Sequence, residues 1–389
     1  MPMTPAEALL RERIHAAPGR RMAWKDVMEL ALYDSQVGYY RSRVQIIGRG
    51  GDFFTSVSVG PVFGELVAAF CAQIWRDLGR PDTFAIIEQG ANDGRLASDV
   101  LQTLRDHHSD LFLKVEYWIV EPSDRLREAQ RMTLGASLAE RLRHAATLAD
   151  LQSAPWQAVF LANELLDAFP THRVRWKDGR WEEAYVSLRD EGEFAFDFGP
   201  LSTPELEQEV SRISETLADG YTTDLNLAML HWWRELDQIP FTGAVWILDY
   251  GLTAAEYFSE TRPEGSLRRY RQHRMDDRVL EDLGESDLTT HVNFTRLADA
   301  AEYAGWRLLE FIEQGRFLTR VAASRFSPGS APPKADWIRQ FQSLTHPNHL
   351  GMSFHSLVLG RGEWPSSASF PNALAARRRL GLQERTTKG

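Results

Sequence analysis

The sequence predicts a doubly wound α/β protein, and three observations predict it. Short apolar runs at Phe84–Ile87, Val115–Val120, Trp156–Leu161 and Ala244–Leu248 alternate with stretches of helical periodicity. Each run stops at a polar or acidic residue: Glu88, Glu121, Asn163-Glu164 and Asp249. A glycine turn, Gly90 to Gly94, follows the first run and opens a helix. Continuous apolar strands separated by helices are the pattern of parallel βαβ units whose sheet is covered on both faces.

The elements follow in order. Residues 1–80 read as an N-terminal helical region with a flap. Thr4 caps a first helix, and Trp24 to Tyr33 supplies a second. Gly38-Tyr39-Tyr40 and the Gly/Arg-rich Ile47–Gly51 come next. Phe63, Leu66, Val67, Phe70, Ile74 and Leu78 then form the stripe of a long helix, which Gly79 and Pro81 stop. The α/β core is expected over 81–167 and 242–360. Within it Leu96, Val100, Leu101 and Leu104 mark the helix after the turn, and Ser123 caps the helix after the second strand. Residues 168–241 break the alternation and read as an inserted subdomain. There Arg173–Trp176 and Trp181–Val186 flank Asp178-Gly179, a hairpin signal, and helices are expected at Pro204–Leu217 and Leu225–Leu236. Ser259 to Thr290 reads as an arginine-bearing polar loop. Asn293 caps a helix closed by Gly305, two last strands cover Arg307–Ile312 and Ser353–Leu359, and 361–389 reads as a flexible tail.

The chain has 389 residues, a formal net charge of -10 and one cysteine. The acidic balance argues against nonspecific binding to nucleic acid or an anionic membrane. A lone Cys71 in an apolar helix cannot form an intrachain disulfide or a cysteine-rich zinc site. No apolar run is long enough to span a membrane, and the first residues lack the layout of a signal peptide. These features lead to the expectation of a cytoplasmic protein.

Ligands of open α/β sheets bind beyond the carboxyl ends of the strands. Gly90 lets the backbone pass close beneath a ligand, and Asn92 is the best non-glycine occupant of a left-handed position. Glu121 can accept hydrogen bonds from both hydroxyls of a ribose. Nicotinamide dinucleotides and S-adenosylmethionine both use this layout. The turn lacks the Gly-x-Gly-x-x-Gly spacing that cradles a pyrophosphate, which favours the phosphate-free ligand.

Dispersed motifs carry a resemblance. They are Met28–Tyr40 (MELALYDSQVGYY), Gly51–Leu66 (GDFFTSVSVGPVFGEL), Asn163–Pro170 (NELLDAFP), Leu248–Gly251 (LDYG), Ser266–His273 (SLRRYRQH), Asp287–Phe294 (DLTTHVNF), Gln314–Leu318 (QGRFL) and Leu350–Phe354 (LGMSF). In this order the chain resembles the MidA-like family of S-adenosylmethionine-dependent methyltransferases, which includes a mitochondrial protein-arginine methyltransferase that assists respiratory complex I assembly. The resemblance implies a class I methyltransferase core, S-adenosylmethionine as cofactor and a protein substrate. On it Gly38, Tyr39, Asp52 and Thr55 form a flap over the methionine end, while Glu88, Gly90, Asn92, Gly94 and Glu121 hold the nucleoside. Asn163, Glu164 and Asp167 face the methyl acceptor. The family carries Gly-Pro-Gly-x-Gly where this chain has Gly90-Ala91-Asn92-Asp93-Gly94, and Ser56-Val57-Ser58 lacks the Pro-Glu that usually follows Thr-Ser.

An arginine acceptor brings a second cation to a cationic sulfonium, and its guanidinium stays protonated at neutral pH. Glu164 and Asp167 are spaced to share a helical face and grip it; His172 is the candidate proton acceptor. Asn163-Glu164-Leu165-Leu166 has neither the proline nor the aromatic that stacks a flipped base, so nucleic acid is disfavoured. Asp287, Thr289 and His291 are too few for a metal site. Arg268, Arg269, Arg271 and Arg274 read as a solvated loop or a dock for an acidic protein surface. Two other readings stand beside the methyltransferase: an inactive assembly protein on the same fold, and a NAD-dependent oxidoreductase.

Overall fold

The computed structural model describes residues 3–42, 55–190, 192–213, 217–271, 274–325, 332–365 and 369–383. Strands in the first half of the chain are β1 (Arg21–Ala23), β2 (Phe84–Gln89), β3 (Val115–Val120), β4 (Leu142–Ala145), β5 (Trp156–Asn163), β6 (His172–Lys177) and β7 (Arg180–Leu188). The rest are β8 (Phe194–Gly199), β9 (Thr222–Leu225), β10 (Phe241–Leu252), β11 (Arg268–Arg271), β12 (Arg274–Asp276), β13 (Asp287–Thr289), β14 (Val292–Asn293), β15 (Arg307–Glu313) and β16 (Phe354–Arg361). Helices named below are α1 (Pro5–Ala16), α2 (Trp24–Tyr33), α3 (Tyr39–Ser42), α4 (Pro61–Asp77), α5 (Arg95–His107), α6 (Ser109–Phe112) and α7 (Asp124–Ala139).

The chain divides into two compact units. One comprises 1–54, 166–231 and 254–293; the other comprises 55–165, 232–253 and 294–389. The N-terminal helices, the inserted segment and the arginine-bearing segment thus share one unit, whereas α4 goes with the large sheet. This division differs from the expected boundaries, because α4 turns its apolar stripe onto the sheet.

The sheet unit has strand order β15-β16-β10-β5-β2-β3-β4. β4, β3, β2, β5 and β10 run parallel, and β16 runs antiparallel to both β10 and β15. β2 is the earliest of these strands and lies between β3 and β5, so the order reverses at its carboxyl end, the place where open α/β sheets bind ligands. Phe70 of α4, Trp246 of β10 and Phe317 pack with ring centroids 4.8–5.6 Å apart. Such buried aromatics dominate a core's burial energy. Cys71 is fully buried here. Among the described residues past 361, Trp364, Phe370 and Leu380 are buried, and Arg379 pairs with Glu313 at 2.8 Å. Aromatic anchors spaced among serines and arginines gave no periodic signal.

The other unit holds a sheet of order β1-β7-β6-β9 with β8 paired to β7, and a second sheet of order β12-β11-β13. Thr4 and Glu7 cap α1 reciprocally, as a capping box. Leu10, Trp24, Met28, Val186 and Leu288 are buried in its core. The expected hairpin forms, with Lys177 opposite Arg180 and both Asp178 and Gly179 at positive φ. The segment expected as a polar loop contains β11–β13 instead. Arg269, 3 % exposed, pairs with Asp276 at 2.7 Å and Asp282 at 2.9 Å; Arg271 reaches Asp282 and, at 3.1 Å, Glu285. Asp276 of β12 and the acidic residues Asp282 and Glu285 that follow it take up these two arginines.

Candidate active site

Backbone conformation builds the first rim. β2 ends at Gln89, and the chain then passes through three left-handed residues, Gly90 (φ 86°), Asn92 (φ 46°) and Gly94 (φ 80°). Gly94 is the residue before α5, and Arg95 in the first helical turn is tied to Asp93 through its amide and its guanidinium. Gly90 is exposed at the strand end, and a Cβ there would lie 3.2 Å from Leu165. The space a side chain would fill is therefore a shallow cradle over bare backbone, open to a ligand.

Glu121 follows β3 directly and is 9 % exposed. Its amide donates to the Ala145 carbonyl, and its Oε1 accepts the Ser123 amide at 2.8 Å. The capping residue of α7 thereby pins the carboxylate at the rim. Glu88 behaves differently. It is 3 % exposed, accepts the Tyr117 hydroxyl at 2.7 Å, and burial pushes its carboxyl up to about 7. It lies within the sheet.

The second rim lies where β5 ends. Asn163 is its last residue, and Glu164 takes a left-handed conformation at φ 51°. A non-glycine residue holds that conformation only when its surroundings fix it. Here the Glu164 amide donates to Leu248 at 2.8 Å, and the Leu165 amide donates to Asp249 at 3.2 Å. Glu164 Oε1 accepts from the Ser56 amide at 3.0 Å and from Asn163 Nδ2 at 3.3 Å. Asn163 Oδ1 is buried and has no hydrogen-bond partner among the described residues. Thr55, also buried, exchanges hydrogen bonds with Ser58 and so shapes the turn that presents Ser56.

The sheet unit therefore gathers Thr55, Gly90, Asn92, Gly94, Glu121, Asn163 and Glu164 around strand ends. Gly38, Tyr39, Asp167 and His172 belong to the other unit. Gly38 is required by its own turn, since a Cβ would lie 2.5 Å from the Asp34 nitrogen. Tyr39 is fully buried, its ring 5.2 Å from that of Tyr40, whose hydroxyl donates to Asp287 at 2.9 Å. Burial pushes the Asp167 carboxyl up to about 7. His172 is buried, with Nδ1 2.7 Å from Glu183 Oε1. Asp52 lies outside the described residues. Sequence reasoning missed Ser56 as an amide donor to Glu164, because a main-chain donor leaves no residue-type signal at all.

The parallel strands β4-β3-β2-β5-β10, closed by antiparallel β16 and carrying a glycine turn after β2, have the topology of a class I methyltransferase. The chain belongs to the family of S-adenosyl-L-methionine-dependent methyltransferases, whose profile matches residues 66–312. It is similar to a Burkholderia thailandensis protein solved bound to S-adenosyl-homocysteine, at 30% identity, with a TM-score of 0.81 and coverage of 93% of this chain and 95% of that one. Among curated proteins it is similar to "Protein arginine methyltransferase NDUFAF7 homolog, mitochondrial" of Drosophila melanogaster (29% identity, 90% of this chain, 82% of the relative). The rat "Protein arginine methyltransferase NDUFAF7, mitochondrial" is 26% identical over 86% of this chain and 80% of its own length. The protein is thus an S-adenosylmethionine-dependent methyltransferase, and the oxidoreductase and inactive readings are set aside. The expected cytoplasmic location is also corrected, because these curated relatives are mitochondrial. A single buried cysteine reports only that no disulfide is needed, which does not single out one reducing compartment. No helix among the described residues is long and apolar enough to cross a membrane.

Proposed function

We propose that the enzyme methylates a guanidino nitrogen of arginine on a protein partner, with Glu164 receiving the guanidinium. The observation that carries this reading is the strained, doubly anchored Glu164 at the end of β5. The names of the curated relatives, protein arginine methyltransferases, support the acceptor class.

The residues present fit the cofactor. The bare cradle at Gly90 suits its close approach, Gly94 lets the turn enter α5, and Glu121 would hold the ribose hydroxyls. When bound, S-adenosylmethionine supplies an electrophilic methyl group on a sulfonium. The remaining work falls to the protein. Glu164 offsets the charge of the incoming guanidinium and orients one nitrogen toward the methyl group, and positioning of this kind is worth about 7–11 kcal/mol of barrier. Asn163 Oδ1, the orphan acceptor, takes a second guanidino N–H. As the nitrogen is alkylated its proton passes to the Glu164 carboxylate and from there to water. Asp167 is a weaker anion at neutral pH, since burial holds its carboxyl near 7.

The test is transfer of a labelled methyl group from S-adenosylmethionine to an undermethylated protein extract, with hydrolysis to identify the modified amino acid. Methylarginine is the expected product. Glu164→Gln is expected to bind S-adenosylhomocysteine within about twofold of the parent and to lose at least about 100-fold in transfer. Label on lysine or a carboxyl group, or wild-type transfer by Glu164→Gln, overturns the reading.

A further inference from the structure

Gln130 lies within α7, is fully buried, and contacts the cofactor turn in two ways. Its main chain presses on the turn: a Cβ on Gly94 would lie 3.1 Å from Gln130 Cα. Its side chain reaches the same turn, where Nε2 donates to the Asn92 carbonyl at 2.9 Å. Gln130 Oε1 lies 2.8 Å from His144 Nε2 on β4. An amide whose nitrogen donates to a carbonyl must offer its oxygen to a donor, so His144 carries its proton on Nε2. Burial, with Arg131 and Arg127 nearby, lowers the His144 pKa to about 4, which keeps the ring neutral at physiological pH. The three residues form a connected chain: His144 orients Gln130, and Gln130 holds Asn92.

Asn92 is where the turn departs from an all-glycine pattern, and it sits at φ 46°. Left-handed backbone is unfavourable for any residue with a Cβ, less so for asparagine. The carbonyl that Gln130 grips is the carbonyl of that residue.

We infer that Gln130 is a positioning residue for the cofactor, holding the asparagine-substituted turn in the left-handed shape that a glycine would take unaided. This inference stands on the cofactor class alone and is independent of the acceptor that Glu164 receives.

The experiment is calorimetric titration with S-adenosylhomocysteine of the full chain in four forms: parent, Gln130→Met, Asn92→Gly and the double variant. Methionine keeps the volume and helix propensity of glutamine while removing both hydrogen bonds. Gln130→Met is expected to weaken binding about tenfold in the parent background, the scale of a half-buried carbonyl that loses its donor. In the Asn92→Gly background the same substitution is expected to cost about threefold or less, because glycine needs no support at positive φ. A role in packing alone would lower the melting temperature and weaken binding equally in both backgrounds, and that equality overturns the proposal. If Gln130→Met does not fold, His144→Leu asks the same question from the other end of the chain. It is expected to weaken binding about threefold with Asn92 present and to leave it unchanged in the Asn92→Gly background; an equal loss in both again refutes the inference.

Discussion

Glu88 accepts the hydroxyl hydrogen of Tyr117 at 2.7 Å between two adjacent parallel strands, so the acid that opens the glycine turn faces its neighbour strand. Sequence alone groups it with the acids of the rim. The structure separates an inward acid, raised in pKa by burial, from the rim acid Glu121.

The raised pKa of Glu88 has a definite sign for stability. Its folded value of about 7 exceeds the ordinary 4.5, so its contribution is complete below about pH 4.5 and is lost as pH rises through about 7. Glu88→Gln keeps an acceptor for Tyr117 and removes the charge. Unfolding measured across pH is expected to show the variant more stable than the parent at pH 8, by at most roughly 3 kcal/mol. The two curves are expected to converge toward pH 4.5, and a gap of constant size refutes the assignment.

Glu121→Gln tests the rim acid. Loss of charge-assisted hydrogen bonds to a ribose is expected to weaken S-adenosylhomocysteine binding by about 10- to 100-fold. The Ser123 amide retains an acceptor, so the melting temperature is expected to change little. Unchanged affinity in calorimetry would remove Glu121 from the nucleoside site.

His172 is expected to act through stability. Its ring bonds to Glu183, which is fully buried and also accepts the Ser202 amide. His172→Leu is expected to cost about 1–3 kcal/mol in chemical denaturation, the scale for a buried acceptor left without its hydrogen-bond donor. The pH–rate profile of transfer is expected to keep its shape. A displaced limb in that profile with unaltered stability would restore His172 as a proton acceptor.

Much of the sheet unit was legible because apolar runs stop where the strands stop. Phe84, Val115 and Trp156 begin strands that the residue pattern marks, and Glu121 and Asn163-Glu164 fall at their ends. Gln130 was not legible, since a buried glutamine between arginines looks like any surface helix residue. β11–β13 escaped notice for a related reason. Arg269 and Arg271 read as solvated because their acidic partners, Asp276 and Asp282, become neighbours only after the chain turns back. Nor does residue pattern report that 1–54 and 166–231 share a unit, because long-range grouping leaves no periodic trace.

The place of β16 in the sheet governs how the protein is made. It lies between β10 and β15 although it is synthesised after both. While the intervening chain is being translated, β10 carries an open, apolar edge and β15 has no strand to join. Unpaired edges of this kind recruit other chains. Both edges are closed only by Phe354–Arg361, which pairs with β10 on one side and β15 on the other. A stop codon between Glu313 and Phe354 does more than shorten the C-terminus: it keeps β10 and β15 and removes the strand that joins them.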